Sequence, residues 1–426
     1  MAEFTATVYQ NEFLADGGTD VNAIVTVACT GAGSVTTGTG SGSAGEVIMV
    51  DTSGSMGPAT MAAAREAAMT AVGEIVDGVW FAVVAGSDRA MLAYPQVSAG
   101  PGMVQATDET RAAAQQAISR FVGSGGTAMS TWLDLAGQLF GSIEGLTQRH
   151  AILLTDGENR EDAGKLDSAI TRATGYFQCD CRGAGTDWQV QELRRISQAL
   201  LGTVDIIPSP DQMVAQFRQM MQASMSRGVA DAQLRVWAPQ GAQVLFVRQV
   251  APTVEDLTAR RTTVNPLTGS YPTGAWSDES RDYHVAVRVA AKAIGQEQLA
   301  ARVQLAIGDD VLTQALVKAT WSGDSELTAK IDQQVAHYTG QTELAAMIQE
   351  GLAAKAAGDE ATATTKLGRA VQLAAATGND EATSKLRKVV DVQSEAEGTV
   401  KLRRTVDKAD EMALDTASTK TTRIKK

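Results

Sequence analysis

The chain of 426 residues predicts an α/β architecture: a doubly wound, mostly parallel sheet inserted in a β-sandwich, followed by a small helical C-terminal region. Three observations lead there. Between residues 46 and 228 short apolar runs alternate with helical stretches, the pattern of a parallel sheet covered on both faces. Residues 1–30 and 229–324 instead alternate apolar and polar side chains, as strands with one buried face do. From residue 340 the apolar positions recur at helical spacing.

In chain order, residues 4–10 and 21–29 read as strands separated by a turn at Gly17 and Gly18. Two strands alone are marginal in water, so they are expected to complete the sandwich formed by 229–324. Residues 31–45 are dominated by Gly, Ser and Thr and read as a flexible linker. The α/β segment 46–228 opens with a buried strand at 47–50, an Ala-rich helix at 60–76 and a second strand at 79–85, with 90–94 as a short neighbour. Helices follow at 108–122 and 130–143, then a strand at 150–154, a helix at 166–177 and a strand at 178–183. A helix at 189–201, a strand at 204–207 and a helix at 212–226 close it.

In 229–324, Leu234, Val236 and Ala238 alternate with Gln233, Arg235 and Trp237, and Tyr283, Val285, Val287 and Val289 alternate with His284, Ala286 and Arg288. Short strands with turn-rich spacers read as a sandwich. The α/β segment then lies between strands of one β-domain, an insertion that exposed turns tolerate. In 340–392, Leu344, Met347, Ile348 and Leu352 share one helical face, and Leu367, Ala370, Val371 and Ala374 share the next. Gly358-Asp359 and Gly378-Asn379-Asp380 break the helices. One such hairpin falls short of the ~3 repeats a solenoid needs, so it is expected to pack on the sandwich or form a small bundle. Residues 393–426 read as a tail. Its end carries Lys420, Arg423, Lys425 and Lys426 among Thr416, Thr419, Thr421 and Thr422. It reads as a solvated end or edge strand, with a docking or phosphorylation tail as the sharper alternative.

A net charge of −12 argues against general nucleic-acid binding. No window approaches the ~20 uninterrupted apolar residues of a membrane span. The N-terminal residues lack the basic and apolar regions of a signal peptide, so a cytoplasmic protein is expected. Three cysteines do not make a disulfide framework, and Cys179 and Cys181 read as buried strand thiols.

The chemistry gathers where the first buried strand ends. Asp51, Ser53 and Ser55 place one carboxylate and two hydroxyls at alternate positions beyond it. These are hard oxygen donors suited to a small cation such as Mg²⁺, at the strand edge where α/β folds bind ligands. Two later segments have related character. Gly123-Ser-Gly-Gly-Thr127 precedes a helix, and Ala151-Ile-Leu-Leu-Thr-Asp-Gly157 is a buried strand ending in Asp156.

Together the three segments resemble the metal-ion-dependent adhesion site of the von Willebrand factor A domain family, over residues 46 to about 228. Asp51, Ser53 and Ser55 match its first element, Thr127 its second and Asp156 its third. The resemblance implies a Mg²⁺, Mn²⁺ or Ca²⁺ ion. It assigns Ser53 and Ser55 as direct ligands, Thr127 as a direct or water-bridged one, and Asp51 and Asp156 as acting mainly through water. Gly183 and Gly185 match the family's later Gly-x-Gly, read as a tight turn. The layout is similar to that of bacterial cytoplasmic proteins of this family.

The function expected is a metal-dependent protein-interaction module or scaffold that takes a Glu or Asp from a protein partner. The alternative is a subunit working with a separate AAA+ ATPase, since the chain has no phosphate-binding Gly-x-x-x-x-Gly-Lys loop of its own. A Mg²⁺-dependent phosphohydrolase ranks third. That chemistry uses a second carboxylate two residues after the first, and Ser53 stands there. His150, His284 and His337 are scattered, and no Ser-His-Asp arrangement or nucleophile elbow is present, so no enzyme is expected.

Overall fold

The computed structural model describes residues 2–33, 43–96 and 102–424. They form two compact units. One comprises residues 32–231 and 274–277, and the other comprises residues up to 31, 232–273 and those from 278 onward.

The first unit is built on a sheet of order Val204–Ile207, Gln178–Ala184, Leu146–Thr155, Ser43–Asp51, Trp80–Gly86 and Ala90–Tyr94, with Val104–Gln105 also paired to Trp80–Gly86. Neighbours are parallel from Val204–Ile207 to Trp80–Gly86. Ala90–Tyr94 and Val104–Gln105 are antiparallel. All positions of the central strand Ser43–Asp51 are buried, which is why it reads as a continuous apolar run. Ile48, Val50, Ile152 and Leu154 face the helices Pro58–Gly73, Asp108–Ile118 and Met213–Met225 in one apolar core. Val47, Met49, Ala151 and Leu153 alternate with them and are equally buried, on the sheet face of opposite side-chain direction. Met129–Gly141, Ala163–Ala173 and Val190–Ala199 complete the helices of the unit.

The central strand starts earlier than the sequence suggests. Ser43, Ala44 and Gly45, assigned above to the linker 31–45, are buried strand residues. At Gly45 there is little room for a side chain, because a Cβ there would lie 3.0 Å from Leu146 and 3.3 Å from Phe140. The linker's middle, 34–42, lies outside the described residues. The helix placed at 108–122 ends at Ile118.

In the second unit a five-stranded sheet runs Glu3–Gln10, Asp20–Thr30, Ser280–Arg288, Gln243–Ala251, Glu255–Asp256. A six-stranded sheet, most of whose residues belong to this unit, runs Thr262–Asn265, Thr268–Trp276, Val229–Trp237, Glu297–Ile307, Asp310–Trp321, Phe13–Leu14. Asp20–Thr30 pairs antiparallel with Ser280–Arg288, so strands before and after the α/β unit belong to one sheet. The α/β fold is thus inserted in a β-fold, with helices after it.

The C-terminal helices depart from expectation in two ways. After a single turn at Ser325–Thr328, the first long helix begins at Gln333, not at 340, because the Asp332 carboxylate caps the Gln334 and Val335 amides. Residues 393–426 are not a tail. Val390–Ser394 and Thr399–Leu402 form a hairpin, and Lys408–Ala417 is a helix capped by Asp407. Leu414 joins Leu344, Ile348, Leu367, Val371 and Leu386 in a common core, which explains the order. The polar end then pairs antiparallel with the segment that follows Gln243–Ala251, through a bridge between Lys420 and Thr253. Thr419 O accepts the Val254 amide at 2.7 Å and Thr421 N donates to Pro252 O at 3.0 Å. Arg423 Nε reaches Asp282 Oδ2 at 3.3 Å. Lys425 and Lys426 lie outside the described residues. Among the described residues no helix is long and apolar enough to cross a membrane.

Candidate metal centre

The site lies where Ser43–Asp51 and Leu146–Thr155 end side by side at the C-terminal edge of the parallel sheet. Ser43–Asp51 is buried along its whole length and Leu146–Thr155 from His150 onward, so the ends that carry the site are fixed. Asp51 makes the first turn. Its Oδ1 accepts the Ser53 amide at 2.7 Å, and its Oδ2 accepts the Thr155 hydroxyl of the neighbouring strand. Both oxygens are therefore engaged by the protein, and Asp51 shapes the loop that presents the hydroxyls.

Ser53 Oγ and Ser55 Oγ are 2.8 Å apart, and Ser55 Oγ donates to Asp156 Oδ1 at 2.6 Å. A Cβ on Gly157 would lie 3.0 Å from Ser55 Oγ and 3.3 Å from Thr127 Oγ1. The Thr127 and Ser55 hydroxyls therefore both border the space beside Gly157, which a larger residue would crowd. Backbone bonds tie the first two loops, with Gly54 N on Gly125 O at 2.9 Å and Ser124 N on Thr52 O at 2.8 Å. A Cβ on Gly123 would stand 2.9 Å from Ser53 O, so this approach also requires glycine.

All five residues proposed from sequence are thus brought to one place. Asp51, Ser53, Thr127 and Asp156 are buried and Ser55 is exposed, so solvent reaches the cluster at Ser55. The electrostatics are unbalanced toward negative charge. Burial pushes the Asp51 carboxyl up, against the bonds from Ser53 and Thr155. Burial also pushes the Asp156 carboxyl up to about 6, opposed by the Ser55 hydroxyl and reinforced by the negative charges of Asp51 and Asp187. Carboxylates and hydroxyls are the donors a hard divalent cation takes. Among the described residues no group of three or more His, Cys, Asp or Glu is arranged to hold a metal, so an ion here depends on the hydroxyls. The donor set and the glycine-lined opening fit such an ion.

Thr155, Gly157, Asn159 and Glu161 join the site beyond the five residues expected from sequence. Thr155 holds Asp51, and Gly157 leaves the space open. Asn159 and Glu161 bond the start of the helix after Thr127. The Thr-Asp-Gly run around Asp156 points to Thr155 and Gly157, and no sequence signal marks Asn159 or Glu161. Gly183 does more than turn the chain, because a Cβ there would lie 1.8 Å from the Trp188 ring.

The histidines are engaged elsewhere. His150 lies buried between Glu46 Oε1 at 2.7 Å and Asp180 Oδ2 at 2.9 Å. His284 Nε2 is 3.1 Å from Asn22 Oδ1, and His337 Nε2 is 2.6 Å from Thr422 O. Cys179 and Cys181 are buried free thiols.

Comparison with known proteins gives a consistent picture. The von Willebrand factor type A domain matches residues 47–206, and the von Willebrand factor type A C-terminal domain matches residues 372–418. A von Willebrand factor type A protein from Catenulispora acidiphila is similar over 99% of this chain and 97% of its own, with 45% identity and a TM-score of 0.92. The fold is also that of the ArnB paralog VWA2 from Sulfolobus acidocaldarius, with 15% identity, 98% of each chain covered and a TM-score of 0.57. Protein sll0103 of Synechocystis sp. is 29% identical over 218 residues, 50% of this chain and 50% of the relative. The chain thus spans about half the length of that curated relative. With the fold, the matched domains and the relative at 45% identity all agreeing, the chain belongs to the von Willebrand factor type A family.

Proposed function

We propose that the chain is a divalent-cation-dependent protein-binding module that captures a Glu or Asp side chain of a protein partner and performs no catalysis of its own. The family is commonly used for metal-dependent protein interactions. The observation that carries the reading is the convergence of Ser53, Ser55, Thr127 and Asp156 around the space left by Gly157, with Asp51 bracing the turn.

Ser53, Ser55 and Thr127 would hold Mg²⁺ or a related ion through their hydroxyl oxygens. Asp156 would orient the Ser55 hydroxyl, and Asp51 would hold the first loop through its amide and hydroxyl bonds. When bound, the ion supplies an electrophilic position for an incoming carboxylate oxygen. With hydroxyls as the near donors, little of its charge is neutralised by the protein, and a partner's acid completes the balance. Two features favour binding over turnover. Ser53 stands where phosphoryl-transfer chemistry wants a second carboxylate, and each histidine is bonded to groups other than the five site residues.

The test is affinity capture from the native cell extract in Mg²⁺ and in EDTA, with wild type and Asp51→Ala. The partner is expected to elute with EDTA and to be missing from the Asp51→Ala sample. A partner retained under both conditions contradicts the reading. A ring ATPase in the metal-dependent eluate would make the module part of a motor.

A further inference from the structure

The helix Met129–Gly141 begins two residues after Thr127, and Ala128, at its N-cap, offers no side-chain cap. Its first amides are orphan donors that need acceptors from elsewhere. They find them on the loop beyond Asp156. Asn159 Oδ1 accepts the Met129 amide at 3.0 Å. Glu161 Oε2 accepts the Ser130 amide at 3.1 Å, and its Oε1 accepts the Ser130 hydroxyl at 2.7 Å. Between them, Arg160 N donates to Thr127 O at 2.9 Å. Asn159 is itself held, its amide donating to Glu192 Oε2 at 3.1 Å on the helix Val190–Ala199.

We propose that Asn159 and Glu161 are positioning residues for the cation site, capping the second loop's helix so that Thr127 and Asp156 hold their relative places before an ion arrives. This rests on the metal-binding reading above. The capping bonds span the two loops that carry these donors. Losing them leaves the fold in place but frees Thr127 to move against Asp156, so part of the binding energy goes into ordering the loops. A helix cap moved from its usual residue to a neighbouring loop couples helix stability to site geometry.

The test uses the full chain stripped of metal and titrated with Mn²⁺ by calorimetry. Glu161→Ala is expected to weaken uptake about tenfold, equivalent to about 1.4 kcal/mol. Glu161→Gln, which keeps an acceptor for Ser130 and removes the charge, is expected to stay within about twofold. Thr107→Ala removes the cap of the helix Asp108–Ile118 and serves as the structural control, lowering the melting temperature without changing Mn²⁺ affinity. In the metal-free proteins, amide hydrogen exchange at Met129 and Ser130 is expected to speed up in Glu161→Ala and not in Glu161→Gln.

Unchanged Mn²⁺ affinity in Glu161→Ala overturns the proposal. So does equal weakening in both Glu161 variants, which would assign the effect to charge. If wild type takes up no Mn²⁺, the metal-binding reading fails instead, and the exchange rates still report whether Glu161 holds the loop.

Discussion

Replacing His150 with Gln removes the charge at the centre of a buried cluster. The imidazole bridges Glu46 and Asp180, and Ser224 Oγ donates to Glu46 Oε2 at 2.9 Å. Arg227 Nη2 stands 3.6 Å from Asp180 Oδ2. Burial alone pushes the imidazole down, but the Glu46 charge and the bonds to Asp180 and Glu46 outweigh it and hold it up at about 9, against an ordinary 6.5. A folded value above the unfolded one stabilises the protein fully below the unfolded value, and that stability is lost as pH rises through about 9. At about 1.4 kcal/mol per pH unit the shift is worth roughly 3 kcal/mol. Asp180 is buried too, but His150 and the nearby arginines hold its carboxyl far below the usual range, so it stays charged throughout this window. Its contribution is lost only at strongly acidic pH.

The assay is scanning calorimetry of the full chain at pH 6 and pH 9.5, wild type against His150→Gln. At pH 6 the variant's α/β transition is expected roughly 6–12 °C lower, at about 2–4 °C per kcal/mol for a unit of this size. At pH 9.5 the gap is expected to narrow to about a third or less, because wild type has lost the same charge. The Cys179 thiol, held well above its ordinary value, is common to both proteins and cancels in the comparison. A gap equally wide at both pH values would refute the reasoning, since it would mean that packing, and not charge, fastens His150.

Other perturbations test separate parts. Gly157→Ala places a methyl 3.0 Å from Ser55 Oγ, so Mn²⁺ uptake should weaken at least about tenfold while the melting temperature moves by less than about 3 °C, read by calorimetry and thermal scanning. Asp282→Asn removes the acceptor charge shared by Thr26, Tyr338 and Arg423. It should cost about 1.5–3 kcal/mol and speed amide exchange at Val254 and Thr421, where the C-terminal end pairs with residues 252–254. Gly183→Ala drives a methyl into the Trp188 ring and should destabilise the α/β unit by about 1–3 kcal/mol or more, visible as a lower melting temperature and altered tryptophan fluorescence.

The α/β core was legible because its strands are buried on both faces and show as unbroken apolar runs, such as Val47 to Val50. The site was legible because hard oxygen donors follow those runs directly, at Asp51 and Asp156. What escaped reading depends on partners far apart in sequence. Glu46, His150 and Asp180 look like unrelated polar residues until the parallel register sets their strands side by side. Asn159 and Glu161 look like solvated loop residues until their bonds to Met129 and Ser130 are seen. The C-terminal end is rich in Thr and Lys and reads as a solvated end or edge strand; its partners are not legible, because Thr421 donates to Val250 O and Arg423 reaches Asp282, both more than a hundred residues away. Ser43 to Gly45 looked like linker because small residues suit both a flexible chain and a strand pressed against Phe140.

The most direct measurement is calorimetric titration of the metal-free chain with Mg²⁺ and Mn²⁺, alongside Asp51→Ala, Ser53→Ala and Thr127→Ala. The proposed metal centre predicts uptake of one ion per chain that each substitution weakens or abolishes. No heat from wild type, or uptake that all three substitutions leave unchanged, would contradict it.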